Sequence, residues 1–403
     1  MIGARPGTGP AVVSRQVLGP RLVEYTLDSP VLGETTSLRI LFPTGYGAEP
    51  DVRFPVLYLL HGGDDDYRSW TDKGEAAETT EPLPMIVVMP DARNGFYSNW
   101  EKAGRHGRTP WESFHLGELL PWVDRTFRTL AQRESRAAAG LSMGGFGAFS
   151  YAARHPDLFV AAASFSGVLD TNRHPWITEI AGRRDGGGFG AIWGDRLTRS
   201  IRWRAHNPWD LAENLRGSVL FVRTGNGVPG EFDHGLAPDP VEAIVFHQST
   251  RLHKRLTALG IDHDWHHGRG THDWPYWIRD LRETAPLLAG VFADPPPAPS
   301  PFTFTSAEPE FEAWGWRVSF SRQHKEFTIL SDVDEHGFGL ARSGAPTVRT
   351  APRYEPGEEY KVRVDDPSGS RSATSRADRG GHLTFPLKLG PGGTARVEIG
   401  ATR

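Results

Sequence analysis

The chain has 403 residues and no cysteine. Disulfides, a thiol nucleophile and thiolate-ligated metals are therefore excluded, and the redox compartment is left open. Long apolar runs are also missing. None approaches the roughly 20 residues that cross a bilayer. The first ten residues, Met1 to Pro10, lack the apolar stretch of a signal peptide. As written, the chain reads as cytoplasmic, and a trimmed or misassigned start would make it a secreted protein. Charge of one sign is not in excess: 45 Lys and Arg face 49 Asp and Glu, a formal net charge of -4. Nothing in that balance pulls the chain toward nucleic acid or an anionic membrane. No feature speaks to oligomeric state.

What is present is enough for a core. The chain is 38% hydrophobic and 11% aromatic, with 13 Trp. Its length exceeds what one ordinary domain needs. The sharpest break is the proline cluster within 295–301, which favours an extended spacer. It separates an expected catalytic domain, 1–294, from a second domain, 302–403. Before the break, strand-like runs (Leu38–Phe42, Val56–Leu60, Met85–Met89, Val160–Phe165, Val219–Val222) alternate with helical patterns. Two of them, Val56–Leu60 and Met85–Met89, are nearly continuous apolar runs, as strands covered on both faces require. The expected fold is α/β, a mainly parallel sheet flanked by helices. After the break, short alternating stretches such as Arg317–Phe320 and Tyr360–Val364 predict a small all-β sandwich. That domain is read as a structural module, or as a polysaccharide binder using Trp314 and Trp316.

One motif carries the chemistry. Gly140-Leu141-Ser142-Met143-Gly144 follows the small-residue strand pattern Ser135–Ala139 and precedes a helical pattern ending at Pro156. Strand, sharp turn and helix around G-x-S-x-G form the nucleophile elbow of an α/β-hydrolase. A serine hydroxyl needs a histidine base, and the base needs a carboxylate. In this fold the chain order is serine, acid, histidine. Candidate bases are His263, His266, His267 and His272. His272, in a Gly-Thr-His turn ahead of the last helical pattern, suits a base that projects upward. The other three lie in or beside a strand-like stretch and read as surface or strand histidines. No carboxylate–histidine helix motif accompanies them, which disfavours a metal site. No cofactor is called for. For the acid, Glu231 and Asp233 both follow the strand at 219–222, and position alone does not separate them. The oxyanion hole needs two amides. Met143 follows the nucleophile, and Gly63 lies in the His61-Gly62-Gly63-Asp64 turn after an early strand.

These stretches carry a resemblance. Tyr58–Gly62 with Asp65–Trp70, Ile86–Pro90 with Phe96–Trp100, Trp111–Phe114, Gly140–Met143, and Gly225–Glu231 with Thr271–Trp277 fall in order across residues 36–290. They resemble the esterase-D-like branch of the α/β-hydrolases, and within it the mycobacterial mycolyltransferases of the antigen 85 group. The resemblance implies Glu231 as the acid and supports His272 and the Gly63 and Met143 amides. The mycolyltransferases carry an aspartate where His61 stands and an arginine near Asp64, both tied to the sugar acceptor. His61 and Asp64 are therefore candidate substrate contacts, with an altered acceptor site, and Trp274, close to His272 in sequence, is a further candidate. His-Gly-Gly is the pattern of hydrolytic members. The resemblance thus implies a serine esterase acting on carbohydrate-linked or other small acyl esters. Its alternatives are an acyltransferase using the same acyl-enzyme and a non-catalytic carbohydrate-binding protein.

Overall fold

The computed structural model describes residues 9–48, 50–107, 109–320 and 325–401. The chain divides into two compact units, one ending at Pro297 and the other beginning at Ala298.

The first unit is built on a nine-stranded sheet. Its strands are β1 (Ala11–Val17), β2 (Leu22–Ser29), β3 (Glu34–Leu41), β4 (Val56–Leu60), β5 (Ile86–Pro90), β6 (Arg136–Leu141), β7 (Ala161–Phe165), β8 (Val219–Gly225) and β9 (Asp264–Gly268). The spatial order is β1-β2-β3-β5-β4-β6-β7-β8-β9. Strands β1, β2, β3 and β5 pair antiparallel, and the run from β5 through β9 is parallel. Both faces of the parallel part are covered. Val56, Tyr58 and Leu60 of β4 point into one core, with Phe146 and Tyr151. Leu57 and Leu59 point into the other, with Trp277, Leu281 and Leu288. All five β4 residues are buried, so each apolar side chain contributes roughly 1.5–3 kcal/mol. This explains the uninterrupted apolar pattern of the central strands.

Four helices frame the site: α1 (Met143–Arg154), α2 (Trp176–Arg184), α3 (Pro240–Ala258) and α4 (Trp274–Ala293). Helix α1 packs so closely on its own strand that a Cβ at Gly140 would lie 2.5 Å from the carbonyl carbon of Gly144. Small residues in β6 are the condition for that approach. The helical rod over residues 111–126 contains a π-turn at His115–Leu119. There the buried His115 ring accepts from the Tyr151 hydroxyl at 2.8 Å and donates to the Asp91 carbonyl at 2.9 Å.

The second unit is all-β. A six-stranded sheet is ordered β10-β13-β14-β19-β16-β17, and a four-stranded sheet β11-β12-β15-β18. The larger contains β10 (Phe302–Ser306), β13 (Thr328–Asp334), β14 (Gly337–Ala341), β16 (Glu359–Asp366), β17 (Gly369–Arg376) and β19 (Thr394–Ala401). The smaller contains β11 (Glu310–Ala313), β12 (Trp316–Phe320), β15 (Pro346–Arg349) and β18 (Thr384–Pro386). Alternate residues of both sheets meet in one core. Trp316 is part of that core, its ring 5.5 Å from Phe338, so it offers no stacking face to a sugar. Trp314 is half-buried beside Phe302.

Candidate active site

The site lies above the carboxyl ends of β4, β6 and β8, where open α/β sheets bind ligands. Ser142 sits between β6 and α1 with φ 51° and ψ −114°. A non-glycine residue held there stores on the order of 1–3 kcal/mol. The surroundings enforce it: the Ser142 amide donates to the Phe165 carbonyl at 2.9 Å, and the Val168 amide donates to the Ser142 carbonyl at 3.3 Å. The resulting turn aims the hydroxyl at His272, whose Nε2 is 2.9 Å from Ser142 Oγ.

The other imidazole nitrogen has a partner that sequence reasoning missed. His272 Nδ1 donates to Glu242 Oε2 at 2.7 Å. The Glu242 side chain has no exposed surface. Its other oxygen accepts from the Gly225 amide at 2.6 Å, Ser166 Oγ at 2.7 Å and Thr224 Oγ1 at 3.0 Å. A buried carboxylate that accepts four hydrogen bonds across its two oxygens is held in one orientation. Glu231, the expected acid, is not in this constellation. Its side chain is 63% exposed, and the contact it makes is to Arg279 at 3.5 Å. The cause is the loop after β8, which turns outward at Glu231 before returning to start α3. Asp233 is spent on the scaffold: it accepts from the Thr271 hydroxyl at 2.6 Å, the Gly230 amide at 2.7 Å and the Tyr276 hydroxyl at 2.5 Å.

Asp239 ties the Glu242 helix to the His272 turn. It caps α3, one oxygen accepting from the Val241 and Glu242 amides at 2.8 and 3.3 Å. Its other oxygen accepts from the His272 amide at 2.7 Å. Of the remaining histidines named above, His263 accepts from or donates to His253 at 2.8 Å. His266 and His267 are exposed on β9.

A cavity of about 290 Å³ opens at Ser142 and His272. Gly63 and Met143 both line it. A Cβ at Gly62 would lie 3.5 Å from Ser142 Cβ, so the loop after β4 passes directly beside Ser142. Asp64 and Asn94 form a polar edge, and the Asp64 carboxylate is ion-paired with Arg184 of α2. Phe96, Val168, Trp176, Ile180 and Val245 make the apolar wall.

Two expected substrate contacts lie elsewhere. His61 is 1% exposed. Its Nδ1 donates to the Gly62 carbonyl at 2.7 Å, and its Nε2 accepts from the Ala92 amide at 3.0 Å. The ring is committed to shaping the loop, since turning it outward would leave that buried amide unpaired. Trp274 packs edge-on against Trp70 at 5.3 Å and Trp277 at 5.4 Å, with the Lys73 ammonium 5.8 Å from its ring. It closes the start of α4 rather than lining the cavity. Among the described residues, no group of three or more His, Asp or Glu side chains is arranged to hold a metal ion. No described helix is long and apolar enough to cross a membrane.

Residues 29–288 match the family model described as "Putative esterase". The chain belongs to this esterase family. Proteins similar to it include Esterase Rv1288 of Mycobacterium tuberculosis, 34% identical over 286 residues. That match covers 67% of this chain and 60% of the relative, so the chain spans less than two thirds of that protein's length. "Diacylglycerol acyltransferase/mycolyltransferase Ag85B" of Mycolicibacterium smegmatis is 31% identical, covering 67% of this chain and 85% of that protein. The esterase fold is shared with S-formylglutathione hydrolase from Agrobacterium tumefaciens, at a TM-score of 0.54 and 18% identity. That comparison covers 70% of this chain and 99% of the hydrolase. The reading of the first unit as an esterase-family chain with the α/β-hydrolase fold, similar to the antigen 85 group, therefore stands.

Proposed function

We propose that the chain is a serine esterase that cleaves small carboxylic esters, carbohydrate-linked ones included, through Ser142, His272 and Glu242. The observation that carries this reading is the continuous hydrogen-bonded line from Ser142 Oγ through both imidazole nitrogens to Glu242. Ser142 Oγ attacks the ester carbonyl carbon while its proton passes to His272 Nε2. Glu242 keeps the second proton on Nδ1 and stabilises the imidazolium. The Gly63 and Met143 amides receive the oxyanion. The carbon–oxygen bond to the alcohol then breaks, and His272 Nε2 returns its proton to the departing oxygen. Water repeats the sequence on the acyl-enzyme, releasing the acid and restoring Ser142. The apolar wall between α2 and α3 takes the acyl group, and the Asp64, Asn94 and Arg184 edge takes the polar alcohol.

A second reading rests on the acyltransferase and mycolyltransferase named among the relatives. A sugar or lipid hydroxyl would then replace water in the second half-reaction. Supplying an activated acyl ester with and without a sugar acceptor separates the two. Free acid as the main product supports hydrolysis, and acylated sugar as the main product overturns it. Covalent labelling by a fluorophosphonate, lost in Ser142→Ala, is expected for either enzyme. A wild-type chain that is not labelled would instead support a binding protein on a hydrolase scaffold.

A further inference from the structure

A second cavity, of about 580 Å³, lies on the far side of the loop that follows β7. Arg173, Arg196, Arg204 and Arg251 line it, together with Asp170 and Asp210. The two carboxylates are already engaged. Asp170 accepts from Arg251 Nε at 2.7 Å and from Asn207 at 3.0 Å. Asp210 accepts from Arg204 Nε at 2.8 Å, Asn207 at 2.8 Å and Asn172 at 2.9 Å. Their side chains are only 3% and 8% exposed. Arg173 and Arg196 are exposed, and among the described residues no carboxylate pairs with either. The guanidiniums of Arg251 and Arg255 stand 5.1 and 5.4 Å from the Trp209 ring centroid, which holds that wall in place. Four guanidiniums against two carboxylates leave a surplus of two positive charges in one concavity. Close by, His174 is held below its ordinary proton affinity, by burial first and then by His247 and Arg173, against the opposing pull of Asp170.

We propose that this cavity binds a phosphate group, as inorganic phosphate or a phosphate monoester, with Arg173 and Arg196 as its two free ligands. A dianion matches the surplus charge, and planar guanidiniums favour paired hydrogen bonds to phosphoryl oxygens. The site is coupled to the ester site through shared elements. Val168 lines the Ser142 cavity, and Asp170 and Arg173 of the same loop line this one. Helix α3 carries both Glu242 and Arg251, nine residues and therefore about 13 Å apart along its axis. A phosphate here is either a distant group of the ester substrate or a free anion.

The test is calorimetric titration of the full chain with sodium phosphate at low ionic strength, against sodium chloride. Saturable one-site binding is expected. Arg173→Ala/Arg196→Ala together should weaken it about tenfold or more, two charged hydrogen-bond donors being lost. Arg216→Ala, a surface arginine paired with Glu213, should leave it unchanged. Binding that does not saturate, that chloride matches at equal concentration, or that survives the double substitution overturns the proposal. These readings use no turnover, so they stand apart from the esterase assignment. The sources are separated by kinetics. If phosphate competes with a phosphorylated ester and not with its neutral analogue, the site holds a substrate group. If it affects both alike, the site takes free phosphate.

Discussion

The Asp239 carboxylate holds the His272 backbone amide at 2.7 Å while its other oxygen caps the helix that carries Glu242. His272 reaches the site on a loop and Glu242 in the first turn of a helix, and this one side chain ties the two together. Asp239→Ala should remove a helix cap worth about 1 kcal/mol and release the His272 turn. A displacement of an ångström can lower turnover by roughly 100-fold. The expected outcome is a kcat reduced by about 10- to 100-fold, with KM for a short-chain nitrophenyl ester little changed. A variant with a lowered melting temperature and an unchanged kcat would show that Asp239 serves the fold alone.

Glu242 and Glu231 give opposite expectations. In Glu242→Gln the side-chain oxygen can still accept from Ser166, Thr224 and Gly225, which leaves the amide nitrogen facing His272. That nitrogen donates to Nδ1, forces the proton onto Nε2, and so removes the base that Ser142 needs. Turnover should fall by roughly 10⁴-fold, the scale known for a wrong-tautomer triad. Glu231→Gln alters an exposed carboxylate on a weak surface contact and should retain wild-type kcat. Equal losses in the two variants would sink the assignment of Glu242.

The pairing of Ser142 with His272, the proposed nucleophile and base, was legible because each sits in a short local pattern: glycines around Ser142, and a Gly-Thr-His turn before a helix. The acid was not, because a long outward loop separates β8 from it, and its chain neighbours say nothing about which carboxylate turns inward. A signal was nevertheless present. Asp239-Pro240 is a cap and first-turn pair, and Glu242 falls in helical phase with the buried Val245, Ser249, Leu252 and Leu256. A charge on the buried stripe of a helix is the kind that needs a partner. The directions of His61 and Trp274 were hidden for a different reason. Ala92 and Trp70 decide them, and both are distant in sequence.

The elbow depends on missing atoms at Gly144. A Cβ there would meet the Leu60 carbonyl oxygen at 2.3 Å and that of His61 at 2.7 Å. Both are backbone atoms at the start of the loop that presents Gly63, so relief requires the loop to retreat from Ser142. Gly144→Ala should cost roughly 1–3 kcal/mol through overpacking and lower kcat as the Gly63 amide moves. Gly188→Ala, where a Cβ meets nothing within 4 Å, is the matched control and should change neither. Urea unfolding with parallel kinetics on both variants checks this. A wild-type kcat in Gly144→Ala would mean that the two loops are not in register contact.

Asp280 makes stability depend on pH in a direction unusual for a carboxylate. It is buried on α4, and burial raises its pKa from 3.8 to about 6 against the opposing pull of Arg279 and Arg223, with Glu283 adding to the rise. The folded chain therefore holds a proton at Asp280 that the unfolded chain has released over the range from about pH 4 to pH 6. Stability falls as pH rises wherever the native state binds more protons, so this group's contribution is favourable below about pH 4 and lost as pH passes 6. The difference between 3.8 and about 6 corresponds to roughly 3 kcal/mol. Asp280→Asn keeps an oxygen for the Arg279 hydrogen bonds, 2.8 and 3.1 Å long, without a charge to bury. Its unfolding free energy should decline less than that of the wild type between pH 4 and 6, and at pH 7 the variant should be the more stable of the two. Urea titrations across that range decide it, and parallel pH profiles for the two chains would show that Asp280 is ionised in the folded state throughout.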